Sequence, residues 1–131
     1  MSREFTIEGR LESVKLALRG AWLLLRAQRN AWIHAAATLA MVTAGLYFDV
    51  APIEWACLIL ATACVWTAEA FNTALELLAD VASPEFHPLV GQAKDVAAAA
   101  VLFSAVGAAI VAVLILGPYV LGSLGRIPIG G

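Results

Sequence analysis

Four polar residues recur at helical spacing within an otherwise apolar stretch: Glu69, Asn72, Glu76 and Asp80. With Glu69 as origin and 100° per residue, the other three fall at about −60°, −20° and +20°, so all four share one narrow helix face. Ionisable groups in or near a membrane are costly and face a cavity or a partner. A second acid–base pair, Lys94-Asp95, follows in the next apolar segment, and an antiparallel hairpin would carry both clusters to the same end. Carboxylates suit magnesium, a hard cation that prefers oxygen. A lysine steadies phosphate charge, and a further carboxylate accepts the proton of an attacking hydroxyl. These are the parts of phosphoryl transfer. The same residues also fit a solvated helix end with Lys94 paired to an acid, or a small ion or proton conduit through Glu69, Glu76 and Asp80. Spacing alone does not separate these readings.

The elements that must position the stripe are membrane helices. The chain has 131 residues, is 62% hydrophobic and has a mean hydropathy of +0.87, more apolar than a water-soluble domain. It reads as a single domain over 1–131, too short for a membrane unit plus a separate catalytic domain. The architecture expected is all-α: an N-terminal amphipathic surface helix followed by three transmembrane helices. Residues 10–29 form the surface helix. Lys15, Arg19, Arg26 and Arg29 occupy a sector of roughly 80° beside a stripe of Leu11, Val14, Leu18, Trp22 and Leu25, a pattern suited to the headgroup boundary or to packing on neighbouring helices. The spans are expected at 31–48, 53–82 and 96–121. Asp49, Pro52 and Glu54 mark the first turn, and Ser83 to Pro88, with two prolines, marks the second. Gly117-Pro118 is a place for a kink or frayed end, and the tail 122–131 is rich in glycine.

Charge sets the orientation. Six of the eight basic residues (Arg3, Arg10, Lys15, Arg19, Arg26 and Arg29) precede the first span, Lys94 follows the second, and none lies between spans one and two. The positive-inside rule then puts the N-terminus and the 83–95 connection in the cytoplasm, where ATP is available, with Arg126 a lone counter-signal. Nothing near the start reads as a signal peptide. Cys57 and Cys64 lie seven residues apart on one helix, about 10 Å of rise, too far for a disulfide.

The run Glu69-Ala70-Phe71-Asn72-Thr73-Ala74-Leu75-Glu76, followed by Asp80, resembles the E-x-x-N-x-x-x-E-x-x-x-D signature of the small prokaryotic diacylglycerol kinase family, which includes undecaprenol kinases. The resemblance continues through Glu85-Phe86-His87, Gly91-Gln92-Ala93-Lys94-Asp95 and Ala99-Ala100-Val101-Leu102. Upstream it takes in Ala17-Leu18-Arg19-Gly20 and Arg29-Asn30-Ala31-Trp32-Ile33-His34, so that it spans about residues 10 to 121. Neither a G-x-x-x-x-G-K-[ST] loop nor a protein-kinase Gly-rich loop is present, as this unrelated family requires.

The resemblance implies an ATP-dependent lipid kinase of the inner (cytoplasmic) membrane. It implies a homotrimer whose active sites form where neighbouring subunits meet, open to the cytoplasmic side. Glu69 would be the general base for the lipid hydroxyl, Glu76 a ligand of the magnesium of Mg-ATP, and Asn72 an organiser of the site. Lys94 and Asp95 would contact the nucleotide, as would Glu85 and His87. Asp80 either joins them or ties the helix end to the turn. Many members carry glutamate where this chain has Gln28, whose neutral carbonyl gives a metal less charge compensation. His34 either lines the lipid site or packs at the membrane interface. The segments Asp95–Val101 and Arg29–His34 look like the undecaprenol-kinase branch. Ala98 stands where the diacylglycerol-specific branch has serine, removing a hydroxyl from the lipid pocket. Undecaprenol is therefore the expected acceptor, with diacylglycerol the alternative.

Overall fold

The computed structural model describes residues 7–27, 29–85 and 87–125. Every element in them is an α-helix: α1 (Ile7–Ala27), α2 (Arg29–Phe48), α3 (Pro52–Ala82) and α4 (Pro88–Leu124). The last three are long and apolar enough to cross a membrane, a length criterion of about 20 residues. The chain is thus a three-span helical protein with a fourth, amphipathic helix before the spans.

Local chemistry explains the helix limits. Pro52 occupies the first turn of α3, where its missing N–H costs nothing, and the Ala51 N–H donates to the Glu54 carboxylate at 2.8 Å. At the other end Ser83 N–H closes onto Ala79 O, and Pro84 forbids a further turn. His87 then caps α4: its Nδ1 accepts from Leu89 N–H at 3.3 Å, with Pro88 in the first turn.

The third span starts earlier than expected. Hydropathy marks about Val96 as the place where the chain becomes lipid-like, but the helix begins at Pro88. No proline lies between Pro88 and Val96, the helix runs through Gly91, and the His87 cap and Pro88 initiate it two turns upstream. Lys94 and Asp95 therefore lie inside α4 rather than at its threshold. The helix also continues through Gly117-Pro118 to Leu124, and α1 begins at Ile7, before the expected Arg10.

The closest association is the α3–α4 hairpin, with α2 and α1 packed against it more lightly. Among the described residues few apolar side chains are buried, namely Leu24, Ala31, Val50, Leu58, Val65 and Val101. Leu39, Leu60, Phe103 and Leu114 face outward, as lipid-facing spans require. On α1, Leu11, Val14, Leu18 and Trp22 are likewise exposed, so the other described residues do not cover that stripe. The Arg26 guanidinium lies over the Trp22 ring at 5.1 Å, a cation–π contact.

The end of the bundle opposite the stripe is closed by polar and aromatic contacts. Asp49 takes a left-handed backbone conformation (φ 51°) at the α2–α3 turn, which aspartate tolerates. Tyr119 OH donates to Glu54 at 2.8 Å, and its ring stacks on Phe48.

Candidate active site

Polarity in α3 is turned inside out relative to a water-soluble helix. Glu69, Asn72 and Thr73 are buried, while Phe71, Leu77 and Leu78 on the same helix are exposed. The predicted face therefore exists, and its inner members are withdrawn from the lipid side.

The stripe divides into two groups. In the first, Glu69 is fully buried and faces α2, where His34 Nε2 lies 3.7 Å from its Oε2. One turn on, Asn72 Nδ2 donates to Glu76 Oε1 at 3.3 Å. This bond orients the Asn72 amide. It leaves Asn72 Oδ1 buried and, like both Glu69 oxygens, without a hydrogen-bond partner among the described residues. In the second group, Lys94 Nζ donates to Asp80 Oδ1 at 2.8 Å across the α3–α4 hairpin. The hairpin thus brings Lys94 to the stripe, as antiparallel packing requires, and Asp80 is the acid it meets.

The remaining residues singled out from sequence are placed differently. Asp95 and Glu85 are exposed. Glu85 takes part in the turn through its backbone carbonyl, which accepts from Ser83 Oγ at 2.9 Å. His87 is engaged as the α4 cap. Gln28 lies outside the described residues. Ala98 is exposed on α4.

Sequence reasoning missed two features. The first is the setting of His34. Thr38 Oγ1 donates to the His34 carbonyl at 2.7 Å and accepts from Trp66 Nε1 at 3.0 Å, and the Trp66 and His34 rings meet edge to face. Thr38 lies four residues after His34 and Trp66 three before Glu69, the spacings of neighbours on a helix face. The second is an apolar groove of about 720 Å³ between α1 and α3, lined by Gly20, Leu23 and Leu24 on one side and Trp66, Ala70 and Thr73 on the other. Its α3 wall flanks Glu69 in the chain. Both walls read from sequence as ordinary apolar helix faces, so no pattern announced it.

The sequence model of the prokaryotic diacylglycerol kinase family matches residues 15–116. The chain is 38% identical over 100 residues to the undecaprenol kinase of Bacillus subtilis, covering 76% of this chain and 81% of that protein. It is 36% identical over 93 residues to the diacylglycerol kinase of Escherichia coli, covering 71% and 74%. A diacylglycerol kinase of Synechocystis sp. is 37% identical over 102 residues, which cover 77% of this chain but 58% of that longer protein. With the match running from the surface helix through most of the last span, the chain belongs to the prokaryotic diacylglycerol kinase family and is a multi-pass membrane lipid kinase.

Proposed function

We propose that this kinase transfers the γ-phosphoryl group of ATP to the terminal hydroxyl of undecaprenol at the cytoplasmic face of the inner membrane. The observation that carries the reading is the position of Glu69: a fully buried carboxylate without a hydrogen-bond partner among the described residues, on a helix that forms one wall of an apolar groove. Oxygen donors stand one and two turns further along the same face. An acceptor arriving from the bilayer would meet Glu69 first, and nucleotide arriving from water would meet Glu76 and Lys94.

In this reading the lipid hydroxyl loses its proton to the Glu69 carboxylate as its oxygen attacks the γ-phosphorus. The bond from that phosphorus to the β–γ bridging oxygen breaks, and ADP departs. Catalysis is chiefly positioning and charge stabilisation. Asn72, locked by its bond to Glu76, fixes the spacing between base and phosphate. Lys94 supports phosphate charge, with Asp95, Glu85 and His87 at the nucleotide side.

The donor set suits magnesium carried in with ATP. Glu76 and the unpartnered Asn72 Oδ1 are hard oxygen donors, and Gln28 would add a third. Magnesium commonly takes one or two carboxylates and fills its shell with phosphate oxygens and water. Bound there, it would neutralise the phosphate charge that develops in transfer. Among the described residues no three acidic, histidine or cysteine side chains converge on one point. A site shared between subunits of a homotrimer would supply what one chain lacks.

Undecaprenol is favoured by the similarity to the Bacillus subtilis enzyme along most of its length and by the alanine at position 98. The names of the Escherichia coli and Synechocystis relatives support diacylglycerol as the second reading. A conduit through the acidic stripe has no such support.

The test is Glu69→Gln, with nucleotide binding and lipid phosphorylation measured on one preparation. Turnover is expected to fall roughly a hundredfold or more, the scale for removing a general base, while ATP binding persists. Turnover near the parent rate would show that Glu69 is not the base, and loss of ATP binding would assign it to the nucleotide site instead. Undecaprenol and diacylglycerol offered in competition decide the acceptor.

A further inference from the structure

Glu69 is 0% exposed, and neither carboxylate oxygen has a hydrogen-bond partner among the described residues. A buried carboxylate without a donor is costly, and native structures supply one. Among the described residues, the group within ion-pair reach of Glu69 is His34 Nε2, 3.7 Å from Oε2. That nitrogen is itself buried and unpartnered. Two orphaned polar atoms face each other across the α2–α3 contact, separated by less than 1 Å beyond hydrogen-bond range. Bonds of this kind commonly tighten when substrate fills the site.

The imidazole is not loosely placed. Its ring meets the Trp66 edge at a centroid distance of 6.2 Å and an interplanar angle of 69°. Trp66 is held by its Nε1–H bond to Thr38 Oγ1, and the Thr38 hydroxyl donates to the backbone carbonyl of His34 itself. The circuit His34–Thr38–Trp66–His34 pins α2 to α3 one turn before Glu69. Trp66 is also a wall of the groove between α1 and α3, so one indole both supports the imidazole and borders that groove.

We infer that His34 is a positioning residue for Glu69: its Nε2–H donates to Oε2 and holds the carboxylate with Oε1 presented to the acceptor hydroxyl. The inference rests on the reading of Glu69 as the base. An Nε2–H donor is present in one neutral tautomer and in the protonated ring alike. The role is therefore orientation, and no proton passes through His34. Neither the acidic stripe nor its spacing points to it, because His34 lies on a different helix from every other member of the site.

The experiment compares His34→Leu, which fills the volume without a donor, with His34→Gln, whose amide offers an N–H at similar reach. Both are assayed as full-length protein in lipid-containing micelles beside Glu69→Gln and the Glu69→Gln/His34→Leu double variant. Loss of a hydrogen bond to a charged group predicts that His34→Leu lowers kcat roughly tenfold or more, with the KM for ATP at the parent value. His34→Gln should recover most of that loss while the two variants melt at the same temperature. In the Glu69→Gln background, adding His34→Leu should cost nothing further, since a residue acting through Glu69 has nothing left to position. Parent kcat in His34→Leu with Glu69→Gln inactive would overturn this inference alone. Equal impairment of the leucine and glutamine variants, or a further loss in the double variant, would overturn it too. Parent turnover in Glu69→Gln would remove the base reading and the inference with it.

Discussion

Lys94 and Asp80 are joined across the α3–α4 hairpin by a 2.8 Å hydrogen-bonded ion pair, so the lysine assigned to nucleotide is anchored by the last acid of the stripe. Such an exposed pair does little for stability, and its value lies in placement. Lys94→Gln should raise the KM for ATP by roughly tenfold or more, the loss of one charge-assisted contact to phosphate. Asp80→Asn should raise it less, because the ammonium remains but is no longer held. Steady-state kinetics with ATP varied checks both. An unchanged KM in Lys94→Gln would leave the lysine with a structural role only.

Glu76 and Asn72 are coupled through the 3.3 Å amide–carboxylate bond, so a change at Glu76 would act on the proposed metal site and on the amide together. Glu76→Gln should move the magnesium dependence of activity to higher concentration and lower the maximum rate, since a charged oxygen ligand is lost. Gln28→Glu should leave activity unchanged or raise it, by offering a charged oxygen in place of a neutral one. Magnesium titrations at fixed ATP measure both, and a parent-like curve for Glu76→Gln would exclude it as a ligand.

The helices and the acidic face were legible in the sequence because both depend on local periodicity. Apolar runs ended by Pro52, by Ser83-Pro84 and by Pro88 locate the turns, and the i, i+3, i+7 spacing of Glu69, Asn72 and Glu76 places them on one face whatever the tertiary packing. The helix α4 begins two turns before the apolar run from Val96, because hydropathy reports where lipid begins, while the His87 cap and Pro88 decide where the helix begins. The His34–Glu69 approach and the α1–α3 groove were not legible, since each depends on how two separate helices meet. The Asp80–Lys94 pairing lay between: the hairpin implied that Lys94 would find an acid, but not which one.

Gly45 on α2 packs closely against the Trp55 ring, away from the stripe. A Cβ built on Gly45 would stand 2.6 Å from Trp55 Cη2, so a methyl there must displace the indole where α2 meets the start of α3. Gly45→Ala should destabilise the fold by about 1–3 kcal/mol, the range for overpacking, and leave the KM for ATP unchanged in the folded fraction. Thermal unfolding in detergent measures the first, and a variant as stable as the parent would show that Trp55 has room to turn.

Orientation is open to direct labelling. With Cys57 and Cys64, both exposed on α3, replaced by alanine, a single cysteine at Ser83 should react with a membrane-impermeant thiol reagent only from the cytoplasmic side. The asymmetry of basic residues about the spans predicts this result. Labelling in intact cells would reverse the topology and place the stripe on the side without ATP.

The groove between α1 and α3 supplies the most specific prediction. Gly20 lines it, and a Cβ at this position would meet nothing within 4 Å. A methyl there therefore meets open space at the groove, and replacing glycine within a helix stabilises that helix by up to about 1 kcal/mol. Gly20→Leu should fold at least as well as the parent. If the lipid chain runs through this groove toward Glu69, the leucine takes its space. The KM for lipid should then rise severalfold, while the KM for ATP stays at the parent value, because Glu76 and Lys94, the groups proposed for nucleotide, are not among the residues that line the groove. Gly20→Ala, which adds a single methyl group, should fall between parent and leucine. Kinetics with lipid varied in mixed micelles, paired with thermal unfolding, separate the effects. An unchanged lipid KM in a stable Gly20→Leu protein would mean that the acceptor reaches Glu69 by another face.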